Sequence, residues 1–250
     1  HLDKSHNLLS RVNSIFIPKK YQKKLTSINS TIKQLLDKLH RFQSFIPSIL
    51  KLIGDRYPYR YLVLLQNDSE ARATGGFIGS YLIVDLNDGR ISKITFHDVY
   101  DSDGLLTIHV PAPEEIAKIT NDWGLRDSNY SPNFDISGEK AAWFLQKSKG
   151  PSVDAVIAIN QSFLKDLLNI YGPISVKGLQ KPLTANNYQL VLSYFIESKF
   201  FGASHPKKIL SRTIDALKEK IFTNPSQQTT KDYGKLLKAF IDGIKNKKIM

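Results

Sequence analysis

The chain has 250 residues, 41% of them hydrophobic, with 35 Lys and Arg against 23 Asp and Glu for a formal net charge of +12. That is enough apolar material to bury a sizeable core in one large domain with an appendage, which excludes a disordered tail. The absence of cysteine excludes disulfides, thiolate metal sites and thiol nucleophiles, and no run approaches the roughly 20 apolar residues of a membrane span.

The charge is unevenly placed. Residues 1–60 carry 12 basic against 3 acidic side chains, residues 61–176 carry 9 against 15, and residues 177–250 carry 14 against 5. The basic ends suit anionic lipid or a phosphate-rich polymer, or else keep Lys-rich helices solvated. Nucleic-acid binding has charge alone behind it and no motif.

From Leu25 the apolar residues Leu25, Ile28, Ile32, Leu35, Leu39, Phe42, Ile46, Ile49 and Ile53 alternate three and four apart, the seam of a long amphipathic helix. Pro47 predicts a kink or break near Phe45 and a second short helix to about Ile53. Residues 1–58 are read as a helical segment that packs on the rest or pairs with another chain, and residues 59–250 as the main domain. Tyr61–Leu65 is a short continuous apolar run that suits a strand covered on both faces. Gly75–Leu86 and Arg90–Tyr100 are longer strands, joined by Asn87-Asp88-Gly89, residues that tolerate the positive φ of a tight hairpin.

Polar chemistry collects where these strands end. Gln66 to Arg72 follow the first, and Asp98, Asp101 and Asp103 follow the third. A short helix is predicted over Pro113–Ile119, then a polar loop from Asn121 to Pro132 in which Trp123, Arg126 and Tyr130 suit an interface or pocket. Further on, the pattern predicts a helix over Ser137–Lys147 capped by Ser137, a buried strand over Val153–Ile159, a helix over Gln161–Ile170 and a strand over Ile174–Val176, together an α/β crossover. Three more helices follow: one from Thr184 to about Ile196, one from Pro206 to Phe222, and one from Thr229 or Thr230 to about Ile244. The fold class is α/β: a central mixed sheet with helices on both faces and an N-terminal amphipathic helical segment.

No Gly-x-Ser-x-Gly, Walker loop, Rossmann glycine triplet or His-Glu-x-x-His is present. Asp101-Ser102-Asp103-Gly104 is not an EF-hand, since Val99 and Val110 would hold ligand positions. His97 and His109 flank the acidic cluster, and a lone histidine is more often structural than catalytic. What remains is Asp68, Asp98, Asp101 and Asp103 beside Arg72 and Arg126. Two readings fit: a magnesium-type site with arginines clamping phosphates, or a solvated acidic turn with ordinary ion pairs.

The runs QNDSEARATGGFIGSY, FHDVYDSDG, RDSNYSPNF and VDAVIAINQSFLKDLLNIYGPISV closely resemble the bacterial domain of unknown function 4012 family over about Tyr61 to Tyr194. That family is in turn similar to the LytR-CpsA-Psr phosphotransferases, which move glycopolymers from polyprenyl pyrophosphate carriers onto the cell wall. Leu64–Ser69 resembles the latter's strand ending in Gly-Ser-Asp-Ser, and His97-Asp98-Val99-Tyr100 its Arg-Asp-Thr-Tyr. Ala73-Thr74-Gly75-Gly76 stands where that family has an Asp, His97 where it has an Arg, and Ile196-Glu197-Ser198 where it has Arg-x-Arg.

The resemblance implies a LytR-CpsA-Psr-like α/β/α domain with phosphates held by Arg72, Arg126, Lys207 and Lys208, and magnesium held by Asp68 and Asp98. Asn67, Asp101, Asp103 and Asn129 would line the same site. It also implies an extracytoplasmic, cell-surface or membrane-anchored setting, through an anchor outside these residues, and a polyprenyl-linked glycan or cell-wall polymer as partner. The alternative is a non-catalytic cell-surface module whose N-terminal helix is a stalk.

Overall fold

The protein is described from a computed structural model, covering residue 4 and residues 18–114, 116–118, 120–202, 206–222 and 230–250. The chain divides into two compact units, residues 1–58 with the turn 87–90, and residues 59–86 with 91–250.

The first unit is dominated by α1 (Lys19–Leu52), entered through Pro18, whose missing N–H costs nothing at a helix start. Pro47 lies inside α1, and the expected break is not there. One absent N–H in a 34-residue ladder leaves a single carbonyl to water on an exposed helix, too little to end it. In the turn, Asp88 and Gly89 take φ of 49° and 71°, as the tight hairpin requires. Their amides donate to the carbonyls of Gly54 and Ile53, just beyond α1.

The second unit is built on a four-stranded mixed sheet in the order β3-β2-β1-β4, with β1 (Tyr59–Asn67), β2 (Phe77–Asn87), β3 (Arg90–Asp98) and β4 (Ala155–Asn160). β1 pairs antiparallel with β2 and parallel with β4, so its apolar run is central, as its composition demands. Leu62 and Leu64 face one layer, where Ala141, Phe144 and Leu145 of α3 (Phe134–Lys147) pack with Trp123 and Leu125. Tyr61 and Val63 face the other, with Ile214 of α6 (Lys208–Phe222) against them. Helices thus cover both faces of the sheet.

A separate apolar cluster joins Leu168 of α4 (Ser162–Tyr171), Leu192 of α5 (Tyr188–Glu197) and Ile209 of α6 around Ile174, Val176 and Leu183. The last helix, α7 (Thr230–Lys245), packs Phe240 against Phe163 of α4, the ring centroids 5.2 Å apart and the planes tilted by 55°.

Several local expectations are corrected. Arg90–Tyr100 ends as a strand at Asp98, where the carboxylate accepts from the Tyr100 amide and starts a short helix, α2 (Val99–Gly104). The predicted helix over 113–119 is a set of turns in its described residues. α3 begins earlier than expected and is capped by Asn133, which accepts from Asp135 N, while the Ser137 hydroxyl donates to the Ser131 carbonyl from inside the helix. Ile174–Val176 does not join the sheet, for Ile174 bridges Leu183 instead. The β4 edge such a crossover needs is occupied by residues 248–250, which exchange backbone bonds with Ala158 and Asn160.

Candidate functional site

Because β2 runs against its neighbours, the carboxyl ends of β1, β3 and β4 and the start of β2 lie along one sheet edge. That edge collects the segment after β1, Asp98 at the end of β3 and Asn160 at the end of β4, the position where open α/β sheets hold ligands.

At its centre is Tyr100. The Lys207 ammonium lies 4.5 Å from its ring centroid and the Arg126 guanidinium carbon 5.8 Å, both within cation–π range. Lys207 also donates to Asp98 Oδ1 at 2.8 Å and to the Gly79 carbonyl, with side-chain exposures of only 11% and 17% for the ion pair. Burial pushes the Tyr100 phenol up; Arg126 opposes this, while the charges of Asp98, Glu70 and Asp127 add to it. In series these contacts keep Arg126 within the roughly 15 Å that a shared site tolerates, beyond which screening would uncouple the groups.

Arg126 is fixed from two sides. Its Nη1 donates to Asp103 Oδ2 at 3.3 Å and its Nε to Asp127 Oδ2 at 3.2 Å. Asp103 in turn accepts from Leu125 N at 2.7 Å, and a Cβ on Gly124 would stand 2.5 Å from its Oδ1, so glycine is what lets this carboxylate close on the turn. Burial raises the carboxyl pKa of Asp103 and of Asp127; Arg126 pulls both down, and Arg72 also pulls Asp127 down. Arg72 pairs with Glu70 Oε1 at 2.9 Å and lies over the Phe77 ring. Three cations from distant segments, Arg72, Arg126 and Lys207, therefore meet four carboxylates, Glu70, Asp98, Asp103 and Asp127.

Beneath the loop between β1 and β2 is a buried polar floor. Gln66 Nε2 donates to the Thr74 hydroxyl at 2.7 Å, and Asn129 Nδ2 donates to the same hydroxyl at 3.0 Å and to the Gly76 carbonyl at 2.8 Å. Such a network fixes loop geometry in a low-dielectric setting. Asn129, expected to line the site, is a buried support of the loop.

The other predicted residues divide. Arg72, Arg126, Lys207, Asp98 and Asp103 come together. Asn67 accepts from Ser69 N, and Asp68 Oδ2 accepts from Ser162 N at the start of α4, so both lie at the β1–β4 end of the edge. Lys208 and Asp101 are exposed. The loop 121–132 is not the polar surface its composition implies: Trp123, Leu125, Asp127, Ser128 and Asn129 are buried, and Trp123 packs edge-on to Phe144 and Tyr130. His97 stacks on Tyr81, centroids 4.9 Å apart, and burial lowers its pKa, a structural neutral histidine. Nothing in the sequence marks Asp127 as a site residue, and Tyr100 stands out only as the last residue of the His97–Tyr100 motif.

Among the described residues no group of three or more His, Cys, Asp or Glu side chains is arranged to hold a metal ion. Magnesium, however, usually takes one or two carboxylates and completes its shell with water and substrate phosphates. Asp68 and Asp98 each use one named oxygen within the fold, and the cleft holds one more carboxylate than cations. These residues form no preformed cage, and an ion brought in with a phosphate ligand would need only one of the two carboxylates from the protein.

The fold and site define an α/β domain with a cluster of paired charges at the carboxyl ends of its strands. Residues 57–194 match the family described as protein of unknown function (DUF4012). The chain belongs to that family. No curated protein matches. Similar solved structures include protein gbs0355 from Streptococcus agalactiae (19% identity, 73% of this chain and 66% of that one, TM-score 0.49). B. subtilis TagV is 14% identical, with 77% and 73% covered and a TM-score of 0.43. Bacillus subtilis yvhJ, titled a transcriptional regulator, is 14% identical, with 66% and 63% covered and a TM-score of 0.41. The chain spans less than two thirds of the length of gbs0355 and of yvhJ.

Proposed function

We propose that the cleft binds the pyrophosphate of a polyprenyl-linked glycan at the outer side of the cell envelope and transfers the glycan phosphate to a cell-wall acceptor. The observation that carries this reading is the convergence of Arg72, Arg126 and Lys207 around Asp127 and Tyr100. Guanidinium groups present planar forks to phosphate oxygens, and Lys207 adds a point charge beside them. In the resting site each cation is paired with a carboxylate, so an incoming pyrophosphate exchanges partners with these acids, and the two that hold Arg126, Asp103 and Asp127, are disfavoured as anions by burial. If the pyrophosphate arrives with magnesium, Asp68 and Asp98 are the carboxylates that would hold it, and the ion would supply charge stabilisation to the leaving prenyl phosphate. The protein's cations stabilise that same developing charge.

The lipid portion has apolar surface within reach. α5 touches the loop after β1 through Gln189 Nε2, which donates to Ser69 Oγ at 2.6 Å, and it exposes Leu190 and Tyr194. A second reading, a non-catalytic surface module, is favoured by the pairing of both arginines with acids, an arrangement that also suits a rigid binding loop.

The experiment is mass spectrometry of lipid extracted from the protein purified from its native envelope. The proposal expects a polyprenyl phosphate or pyrophosphate at near-stoichiometric ratio in wild type and its depletion in Arg72→Ala/Arg126→Ala. A lipid-free wild type, or equal lipid in both, favours the surface module.

A further inference from the structure

α1 carries an apolar surface unrelated to the cleft. Its seam keeps the three-four alternation of an amphipathic helix, yet Leu39, Phe42, Phe45, Ile46, Ile49 and Leu52 are all exposed, Phe42 by 59% and Phe45 by 62%. The same helix carries eight Lys and Arg against one acidic residue, Asp37. Four of those lysines, Lys19, Lys20, Lys23 and Lys24, fill its first two turns, while the apolar arc is widest in its last four. About 50 Å of helix is thus basic at one end and broadly apolar at the other.

Two occupants could cover such a face, and charge decides between them. In a parallel pair with a second copy, the flanking Lys24 and Lys38 would meet Asn29 and Gln43, which offer no acid, and each helix would bring seven net positive charges. Phe45 and Leu50 also widen the apolar arc beyond a two-stranded seam. An anionic bilayer surface supplies both missing terms, an apolar boundary for the phenylalanines and negative headgroups for the lysines. No helix among the described residues is long and apolar enough to cross a membrane. We infer that α1 lies in the interface of an anionic lipid bilayer, with its apolar arc at the acyl boundary and its lysines among the headgroups.

The test is flotation of the full chain with vesicles of phosphatidylcholine alone, or with three tenths phosphatidylglycerol, at low and high salt. Binding is expected only to the anionic vesicles and only at low salt. Lys23→Gln/Lys24→Gln should weaken it by about 25-fold, taking roughly fivefold per lysine near the surface, and Phe42→Ser/Phe45→Ser/Ile49→Ser should abolish it. Circular dichroism of each variant establishes that α1 is retained, and the lysine variant leaves the apolar arc intact should the serine variant lose helix. Equal binding to both vesicle types, undiminished binding of the lysine variant, or no binding at all overturns the inference. So does a concentration-dependent dimer in sedimentation that the serine variant loses while vesicles are ignored. Arg72→Ala/Arg126→Ala should bind vesicles like wild type, so failure here and failure of the pyrophosphate reading remain distinguishable.

Discussion

Replacing Lys207 with Met should expose how much of the cleft rests on one ion pair. The ammonium donates to Asp98 at 2.8 Å and to the Gly79 carbonyl, and neither side chain of the pair is more than 17% exposed. Removing one partner of a buried pair costs about 3–5 kcal/mol because the other charge is left unpaired. The residual exposure of Asp98 admits some water, which puts the expected loss near the low end, about 3 kcal/mol. For a domain of this size that lowers Tm by roughly 6–12 °C. Asp98→Asn in the same background removes the orphaned charge while retaining an oxygen to cap α2, and should recover at least half of the loss. Urea unfolding followed by tryptophan fluorescence reads both quantities. If Lys207→Met costs under about 0.5 kcal/mol, as a surface pair would, the buried pairing at the cleft is misassigned.

Three further outcomes follow from the same geometry. Gly124→Ala places a Cβ 2.5 Å from Asp103 Oδ1 and should cost about 1–3 kcal/mol of stability by overpacking, read by urea unfolding. Because burial lowers the His97 pKa, the unfolded chain takes up a proton near the ordinary 6.5 while the folded chain resists it. Stability from this residue is therefore present above that value and falls as pH drops through it, and His97→Phe should flatten the slope in thermal melts between pH 5 and 7.5. Asp127 has the opposite sign: burial raises its pKa above 3.8, so its ionisation lowers stability as pH rises from that value through the folded pKa, and Asp127→Asn should reduce that decline in urea titrations at successive pH values.

Sequence patterning made the sheet legible where a single physical signal dominated. Tyr61–Leu65 has no polar face to present to water, and Asn87-Asp88-Gly89 supplies the positive φ that the hairpin uses. It was less informative where tertiary partners decide. Nothing near Ile174 announces that residues 248–250, more than seventy positions away, take the edge of β4. Loop 121–132 reads as polar because Asp127, Ser128 and Asn129 are counted as surface groups, whereas their neighbours bury them. Of the site, the clustering of Asp98 and Asp103 with Arg126 was readable as charge at strand ends. The central place of Tyr100 was not, because an aromatic after a strand is indistinguishable from a core residue until Lys207 and Arg126 are seen to flank it.

The most direct measurement of the central claim is calorimetric titration of a short-chain prenyl pyrophosphate into the protein, with and without magnesium. Saturable heat is expected for wild type, with most of the affinity lost in Arg72→Ala/Arg126→Ala and part of it kept in Arg72→Lys, since a lysine retains the charge but not the fork. Asp98→Asn should weaken binding only when magnesium is present. No saturable heat in wild type, or equal affinity in the double arginine variant, contradicts the pyrophosphate site.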